Sequence, residues 1–182
     1  ESVEDAWPGD VIGVLDRGSL HIGDTLSADG HVSFGGIPRF SPEHFARIRV
    51  PDPLRRKHLD KGLKQLSEEG AAQVFYETSV AGPSPIVGAV GVLQFDVLVH
   101  RLDTEYNVDA ALDRLSYTRA RWVEGPEEEI ERVARGYGRK LVYDSKRRPL
   151  ILFENDFNLR RTMEDEPGLR YHEVAPGAAV EV

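Results

Sequence analysis

Three groups of basic side chains are the residues in this sequence that could do chemistry, and that chemistry is the binding of phosphate groups. The first group falls within positions 55–64 and consists of Arg55, Arg56, Lys57, Lys61 and Lys64. Its three lysines are spaced by four and three residues, so in a helix they share one face. Asp60 is the only acidic residue among them. The pattern favours contact with an anionic partner, and the alternative is an ordinary solvated helix face.

The other two basic groups are shorter. Arg119 and Arg121 alternate with Ala120 and Trp122, so a strand would place both arginines on one face and Trp122 on the other. We expect Trp122 to lie in the core rather than to serve as a stacking platform. The third group forms a basic turn and consists of Lys146, Arg147 and Arg148. All ten basic residues are candidate contacts to an anionic partner.

Catalytic and metal-binding patterns are missing from the sequence. There is no cysteine, none of the six histidines has metal-ligand spacing, and no GxSxG motif occurs. The GxxxxGK[ST] motif of a phosphate-binding loop is also missing. A glycine-rich basic stretch, 136–140, follows a predicted helix, whereas a phosphate-binding loop precedes one. The sequence therefore predicts no catalytic residue, no metal site and no cofactor site.

Composition indicates a folded acidic protein. Hydrophobic residues make up 40% of the 182 residues, and the formal net charge is −8, so nucleic-acid contact must come from local basic patches. No apolar run approaches the ~20 residues of a membrane helix, and the first residues lack the pattern of a signal peptide. We expect a cytoplasmic protein that has no contact with membranes.

The elements predict an α+β protein with three regions. Residues 1–36 contain short apolar runs broken by glycines, which indicates two or three strands at the end of a β-barrel. Residues 37–116 and the smaller region 117–182 each follow the order β-α-β-β-α-β, which is typical of ferredoxin-like units. We expect the fourth strand of the first unit at 108–112 and the last strand of the second at 169–174.

Helix ends and apolar faces carry the clearest local signals. Asp52 and Asn155 are suited to cap helices that follow them, and Gly70 and Asn107 are suited to end helices. The lysine face of the first helix should lie opposite its leucines. The predicted apolar faces consist of Leu59, Leu63 and Leu66 in the first helix, Leu93, Val97, Leu98, Leu102 and Tyr106 in the second, Ile130, Val133, Ala134 and Tyr137 in the third, and Phe157, Leu159 and Met163 in the fourth.

Several segments resemble the peptide chain release factor 3 family of translational GTPases. They are PGDVIGV (8–14), IGDTL (22–26), GIPRFSPEHFARIRVPDPL (36–54), KGLKQLSEEGAAQVF (61–75), VGAVGVLQFDVLVHRL (87–102), EYNVDA (105–110) and ARWVEG (120–125). The first two resemble the barrel domain that translational GTPases share. The pieces LSEEGAAQVF and VGAVGVLQFDV are the most discriminating, because they resemble the release factor rather than elongation factor G. Residues 126–182 resemble the family only in element order.

The resemblance implies a role at the ribosome. Family members are GTPases that promote the departure of class I release factors after translation termination. It implies that GTP, GDP and Mg²⁺ bind a nucleotide domain that precedes the barrel, so no cofactor and no catalytic residue is expected here. It also implies docking on the small ribosomal subunit, both its protein and its rRNA.

Two alternatives remain open from the sequence. The chain resembles, in part, elongation factor G or a ribosome-protection GTPase. In a different class, tandem β-α-β-β-α-β units can bind small molecules as regulatory domains. Such a site needs a glycine-rich loop after the first strand, whereas this sequence has Pro51 and Pro53 there.

Overall fold

Strands and helices alternate from His44 to His172 in the computed structural model, which describes residues 5–17, 19–20, 23–32, 34, 41–77 and 84–176. The strands are β1 His44–Arg49, β2 Gln73–Glu77, β3 Ser84–Ala89, β4 Ala111–Leu115, β5 Arg119–Glu124, β6 Arg139–Asp144, β7 Pro149–Phe153 and β8 Arg170–His172. The α-helices are α1 Arg56–Glu68, α2 Leu93–Tyr106, α3 Glu127–Ala134 and α4 Asp156–Asp165. A 3₁₀ turn, Pro53–Arg55, precedes α1.

All eight strands belong to one antiparallel sheet with the order β4-β1-β3-β2-β6-β7-β5-β8. The first half of the chain supplies β1–β4 and the second half β5–β8, and each half has the element order β-α-β-β-α-β. The halves meet where β2 pairs with β6, which we call the seam. Phe75 faces Asp144 and Tyr76 faces Tyr143 in its register. The prediction of two units did not include their union into one sheet.

Helices cover one face of each half. In the first half, buried α1 and α2 side chains such as Leu63 and Leu98 pack against Ala46 and Val87 of the sheet. In the second half, Ile130 of α3 and α4 side chains pack against the strands. Because strand side chains alternate between faces, this leaves a second, helix-free face of apolar side chains in each half.

The two helix-free faces pack against each other. Phe45, Phe75 and Ile86 of the first half share a buried cluster with Trp122 and Leu152 of the second, and the Phe45 and Phe75 ring centroids lie 6.3 Å apart. The buried Trp122 side chain confirms its predicted place in the core. The sheet must therefore curve, since its two halves cover one another without a helix between them.

The chain segments that flank the sheet also meet. The backbone N–H of Ser41, just before β1, donates to the Glu173 carbonyl oxygen after β8 at 3.2 Å, and its hydroxyl donates to the same oxygen at 2.7 Å. These bonds join the segment before the first strand to the segment after the last strand.

The predicted helix ends are confirmed by their hydrogen bonds. The Asp52 carboxylate accepts the Leu54 N–H at 2.9 Å, and the Asn155 side chain accepts the Asn158 N–H at 2.9 Å. Asn107 ends α2 in the left-handed conformation, with φ of 54°, and Gly70 has φ of 77° after α1. These signals depend on neighbours in sequence, which explains why they could be read locally.

Two predicted strand positions were wrong by a few residues. β4 begins at Ala111 rather than 108, because the Val108 N–H donates to the Leu102 carbonyl and completes the end of α2. β8 covers only Arg170–His172 rather than 169–174. It is an edge strand, so only β5 supplies hydrogen bonds to it.

Five residues assigned to apolar helix faces are exposed instead. Leu93 is 76% exposed, Val97 52%, Phe157 66%, Met163 41% and Tyr137 91%. Tyr137 lies beyond the end of α3 at Ala134. α2 buries Phe95, Leu98 and Leu102. Residue 93 lies two positions before Phe95, a rotation of about 200° around the helix, and so points away from the core.

The predicted barrel strands at the start are not present among the described residues between 5 and 34. Val11 and Leu15 are fully exposed there. A strand forms only when a neighbour pairs with its backbone, and a two- or three-strand piece is marginal by itself. The segment that follows, 34–42, is rich in glycine and proline, which predicts a linker between domains; it lies largely outside the described residues.

Gly62 of α1 lies in close contact with side chains of α2. A Cβ atom added at Gly62 would lie 2.9 Å from Leu102 Cδ2 and from Tyr106 Cγ of α2. We expect Gly62→Ala to destabilise the protein, because overpacking costs about 1–3 kcal/mol and exceeds the ~1 kcal/mol gain in helix propensity. Urea denaturation measures this difference. Lys61 is the neighbouring residue and is exposed. Its replacement, Lys61→Ala, should therefore change the free energy of unfolding by no more than about 0.5 kcal/mol. Equal stability of the two variants would contradict the close-packing requirement.

Glu77 links the halves through two ion pairs. Its carboxylate accepts from Arg47 Nη2 of β1 at 2.6 Å and from Lys140 Nζ of β6 at 2.7 Å. Burial by itself would raise the pKa of Glu77, but the hydrogen bonds and charges of Lys140 and Arg47 outweigh it and lower that pKa. Glu77 therefore adds stability above its unfolded pKa of about 4.3, and this contribution is lost as the pH falls through the lower folded pKa.

We expect Glu77→Gln to unfold at lower urea concentration than the wild type at pH 7, and the difference to shrink as the pH falls through the folded pKa. A protonated glutamic acid and a glutamine are both neutral, which is why the two proteins converge. Glu164→Gln is the control, because Glu164 is exposed and forms no ion pair among the residues described. A pH-independent difference for Glu77→Gln would show that packing, not charge, explains its effect.

Candidate functional site

The basic group on α1 is exposed and separate from the core. Lys57, Lys61 and Lys64 point to solvent while the leucines of the same helix are buried, which confirms the predicted opposition of the two faces. Within the described ranges none of the three lysines forms an ion pair. Just before them, Arg55 lies 3.9 Å from Asp52 and Arg56 is exposed. Three full positive charges are therefore available along one face of a packed helix.

The arginines of β5 are already paired with carboxylates. Arg119 Nε donates to Asp156 at 2.7 Å, and Glu43 lies 3.8 Å away. Arg121 donates to Glu173. A hydrogen-bonded carboxylate offsets much of an arginine's charge, so these two residues have less charge to offer an anionic partner than the α1 lysines.

A buried aspartate builds the basic turn between β6 and β7. Asp144 is 7% exposed. Its Oδ1 accepts the backbone N–H groups of Lys146 and Arg148, each at 2.9 Å, and its Oδ2 accepts Arg148 Nε at 2.7 Å and Trp122 Nε1 at 3.1 Å. The turn is therefore held from inside the core. An aspartate at the start of a turn is a known local signal, although Asp144 was not among the residues predicted from the sequence.

The built turn leaves two cations at its tip. Lys146 and Arg147 are exposed, and neither side chain forms an ion pair among the residues that the structure describes. Arg147 has φ of 60°, in the left-handed region, where a non-glycine residue carries a conformational cost. Arg148 is engaged with Asp144 and with the Pro176 carbonyl. The tip thus presents two fixed positive charges.

A groove of about 1060 Å³ lies over the seam on the helix-covered side of the sheet. Tyr76 and Tyr143, register partners across the seam, both line it, and α3 contributes Glu127 and Glu131. Arg147 of the basic turn lies at the same groove. No short motif marks this groove in the sequence, because it forms only when the halves join.

The described residues contain neither a metal-ligand cluster nor a helix that could span a membrane. No group of three or more histidine, aspartate or glutamate side chains is placed to hold a metal ion there. None of the helices in that part of the chain is long and apolar enough to cross a membrane.

The chain is similar to known release factors along almost its whole length. Residues 34–163 match the family "Class II release factor RF3, C-terminal domain". Peptide chain release factor 3 of Symbiobacterium thermophilum is 50% identical over 173 residues, which cover 95% of this chain and 33% of that protein. The same-named proteins of Nostoc punctiforme and Synechococcus elongatus are 46% and 44% identical over 97% and 98% of the chain, and 32% of each.

These matches cover the segments whose resemblance the sequence suggested, and they extend it into the second half, which resembled the family only in element order. The chain spans about a third of the length of these relatives. It therefore belongs to the class II release factor family and contains the C-terminal domain of peptide chain release factor 3.

Proposed function

We propose that this chain is the ribosome-docking region of a GTPase that promotes dissociation of class I release factors after termination. The observation that carries the proposal is a set of exposed cations on a protein with net charge −8. Among the described residues these cations form no ion pair, and they are Lys57, Lys61 and Lys64 on α1 and Lys146 and Arg147 at the basic turn. An acidic body suppresses unspecific binding to RNA, while rigid local patches steer a defined contact. The proposed partners are protein and rRNA of the small subunit, in the cytoplasm.

The proposed domain organisation follows the same reasoning. Residues 37–116 and 117–182 form two ferredoxin-like units, supported by the order fourth-first-third-second of the strands in each half. Residues 1–36 are the end of a barrel, supported by exposed apolar side chains such as Val11 and Leu15 that lack a covering layer in the described residues.

We propose that this chain has no GTPase activity of its own and that the parent protein binds GTP or GDP with Mg²⁺ in another domain. Because the sequence has no phosphate-binding loop, isothermal titration calorimetry of this chain with GTP and Mg²⁺ should show no binding at micromolar concentrations. Full-length protein, titrated in parallel, is the positive control. Micromolar binding by the chain alone would contradict this assignment.

The α1 lysines provide the sharpest test of docking. Replacing Lys57, Lys61 and Lys64 with glutamate should weaken binding of the full-length protein to small subunits and reduce its dependence on salt. If all three lysines contact phosphates, the slope of log K against log salt should fall by about two to three units. Co-sedimentation across a salt series measures both effects.

A charge-matched control separates a specific contact from the change in net charge. Arg160, Arg161 and Arg170 are exposed in the second half, and their replacement with glutamate gives the same charge change elsewhere. Thermal melts should be close to wild type for both variants, because exposed substitutions usually change stability by about 0.5 kcal/mol or less. Equal loss of binding in both variants, or no loss in either, would contradict a docking role for the α1 face.

A further inference from the structure

The turn between β6 and β7 holds an arginine in a backbone conformation that suits glycine. Arg147 has φ of 60°, in the left-handed region, where the Cβ atom of an L-residue crowds its own backbone. The Arg147 N–H donates to the Asp144 carbonyl oxygen at 2.9 Å and closes a four-residue turn. In the commonest turns, aspartate is favoured at the first position and glycine at the fourth. The first preference is met here, and the second is not.

Asn107 is the only other non-glycine residue with a positive φ among the described residues. It ends α2, and asparagine tolerates the left-handed conformation because its short polar side chain can form local hydrogen bonds. The long side chain of arginine offers no such local compensation. The conformation of Arg147 is therefore the more costly of the two.

Hydrogen bonds on both sides of Arg147 impose this conformation. The Asp144 carboxylate accepts the backbone N–H groups of Lys146 and Arg148, each at 2.9 Å. The Asp144 N–H donates to the Arg148 carbonyl oxygen at 3.1 Å, and the Arg148 side chain is bonded to Asp144 and to the Pro176 carbonyl. A strained residue persists only where its surroundings determine its conformation in this way.

The Arg147 side chain gains nothing within the described residues that offsets the strain. It is exposed and lies at the groove over the seam. None of the described carboxylates that line this groove is within ion-pair distance of it. Glycine at this position would relieve the backbone without removing an ion pair of the described fold. Strain of this kind is concentrated at functional sites, which directs attention to a contact outside the chain.

The chemistry at the tip of the turn favours a phosphate group as the partner. Ser145, Lys146 and Arg147 are all exposed, and none has the aromatic or aliphatic side chain that anchors most protein interfaces. A guanidinium group binds phosphate oxygens through two parallel N–H donors, and Lys146 adds a second cation beside it. Contacts to the phosphates of RNA need cations and hydrogen-bond donors but no apolar surface.

We propose that Arg147 is a contact residue of the docking region and that its guanidinium group binds a phosphate of small-subunit rRNA. The inference rests on the proposed docking function and makes it specific, because it assigns one residue and one chemical group to the contact. It also explains the strained backbone, since the turn presents an arginine to the partner at the expense of stability that glycine would recover.

Two substitutions at position 147 separate the strain from the contact. Arg147→Gly removes the guanidinium group and relieves the backbone, whereas Arg147→Ala removes the same group and keeps the strained conformation. We expect the 182-residue chain with Arg147→Gly to unfold at higher urea concentration than with Arg147→Ala, because the left-handed conformation costs an L-residue more than the extra entropy that glycine loses on folding. An equal or lower urea midpoint for Arg147→Gly would overturn the proposed strain.

Co-sedimentation of the full-length protein with small subunits across a salt series measures the contact. Both variants should bind about tenfold more weakly than the wild type, as for loss of one hydrogen bond between charged groups. The slope of log K against log salt should fall by about 0.7 to 0.9 of a unit, as for loss of one phosphate contact. Arg147→Lys keeps the charge but not the paired donors, so it should weaken binding and retain the slope.

Arg160→Ala is the matched control, because Arg160 is exposed and forms no ion pair among the described residues. It makes the same charge change as Arg147→Ala at a distant position, and its affinity should stay close to that of the wild type. Equal losses of affinity for Arg160→Ala and Arg147→Ala would show an effect of net charge and overturn the specific contact.

The remaining outcomes distinguish this proposal from the docking function. If Lys57→Glu/Lys61→Glu/Lys64→Glu weakens binding to small subunits but the Arg147 variants bind like the wild type, docking stands and the Arg147 contact fails. Weaker binding of the Arg147 variants with an unchanged salt slope would identify a carboxylate of a ribosomal protein as the partner and overturn the assignment to RNA. Failure of the wild-type protein to bind small subunits would overturn both proposals.

Discussion

The folded region depends on covering the two sheet faces that have no helices. Each half places its helices on one side only, so the apolar side chains on the other side, such as Phe45, Phe75 and Trp122, need a partner. The other half supplies it. Burial of large aromatic and aliphatic side chains is the dominant favourable term in folding, and here that term is available only when the halves join at the seam and the sheet curves.

The packing of the two halves also fixes the conformation of the exposed basic turn. Trp122 is buried between the halves, and its indole N–H donates to Asp144, whose remaining acceptor positions hold the backbone and one arginine of the turn. A buried carboxylate is costly unless it is fully hydrogen-bonded, so the turn closes around Asp144 in one arrangement. The positions of Lys146 and Arg147 at the surface therefore follow from packing in the interior.

The candidate contacts differ in whether their positive charge is paired with a carboxylate. Basic residues of the same type differ in their surroundings. Arg119 and Arg121 are paired with carboxylates from α4 and from the segment after β8, whereas the α1 lysines form no such pair with any described residue. Such pairs on a surface contribute little stability. Here the ion pairs determine where unpaired positive charge remains, namely on α1 and at the basic turn of an acidic protein.

The sequence by itself determined what depends on near neighbours. Helix caps such as Asp52 and Asn155, the end of α2 at Asn107 and the opposition of lysines and leucines on α1 all follow from residues within a few positions of one another, so local spacing predicts them. Family membership also came from contiguous segments, above all 61–75 and 87–102. The exposed Leu93 and Val97 mark the limit of periodicity, because a helix with apolar residues on several sides does not say which side faces the sheet.

Only the tertiary structure decided which distant groups meet. Four features join segments that are far apart in the chain. They are the pairing of β2 with β6, the groove lined by Tyr76 and Tyr143, the carboxylates paired with Arg119 and Arg121, and the contact of Gly62 with α2. Backbone hydrogen bonding between strands carries little sequence information, since any extended residue can form it. Which edges pair is set by the total apolar surface that the arrangement buries, and that quantity exists only in three dimensions.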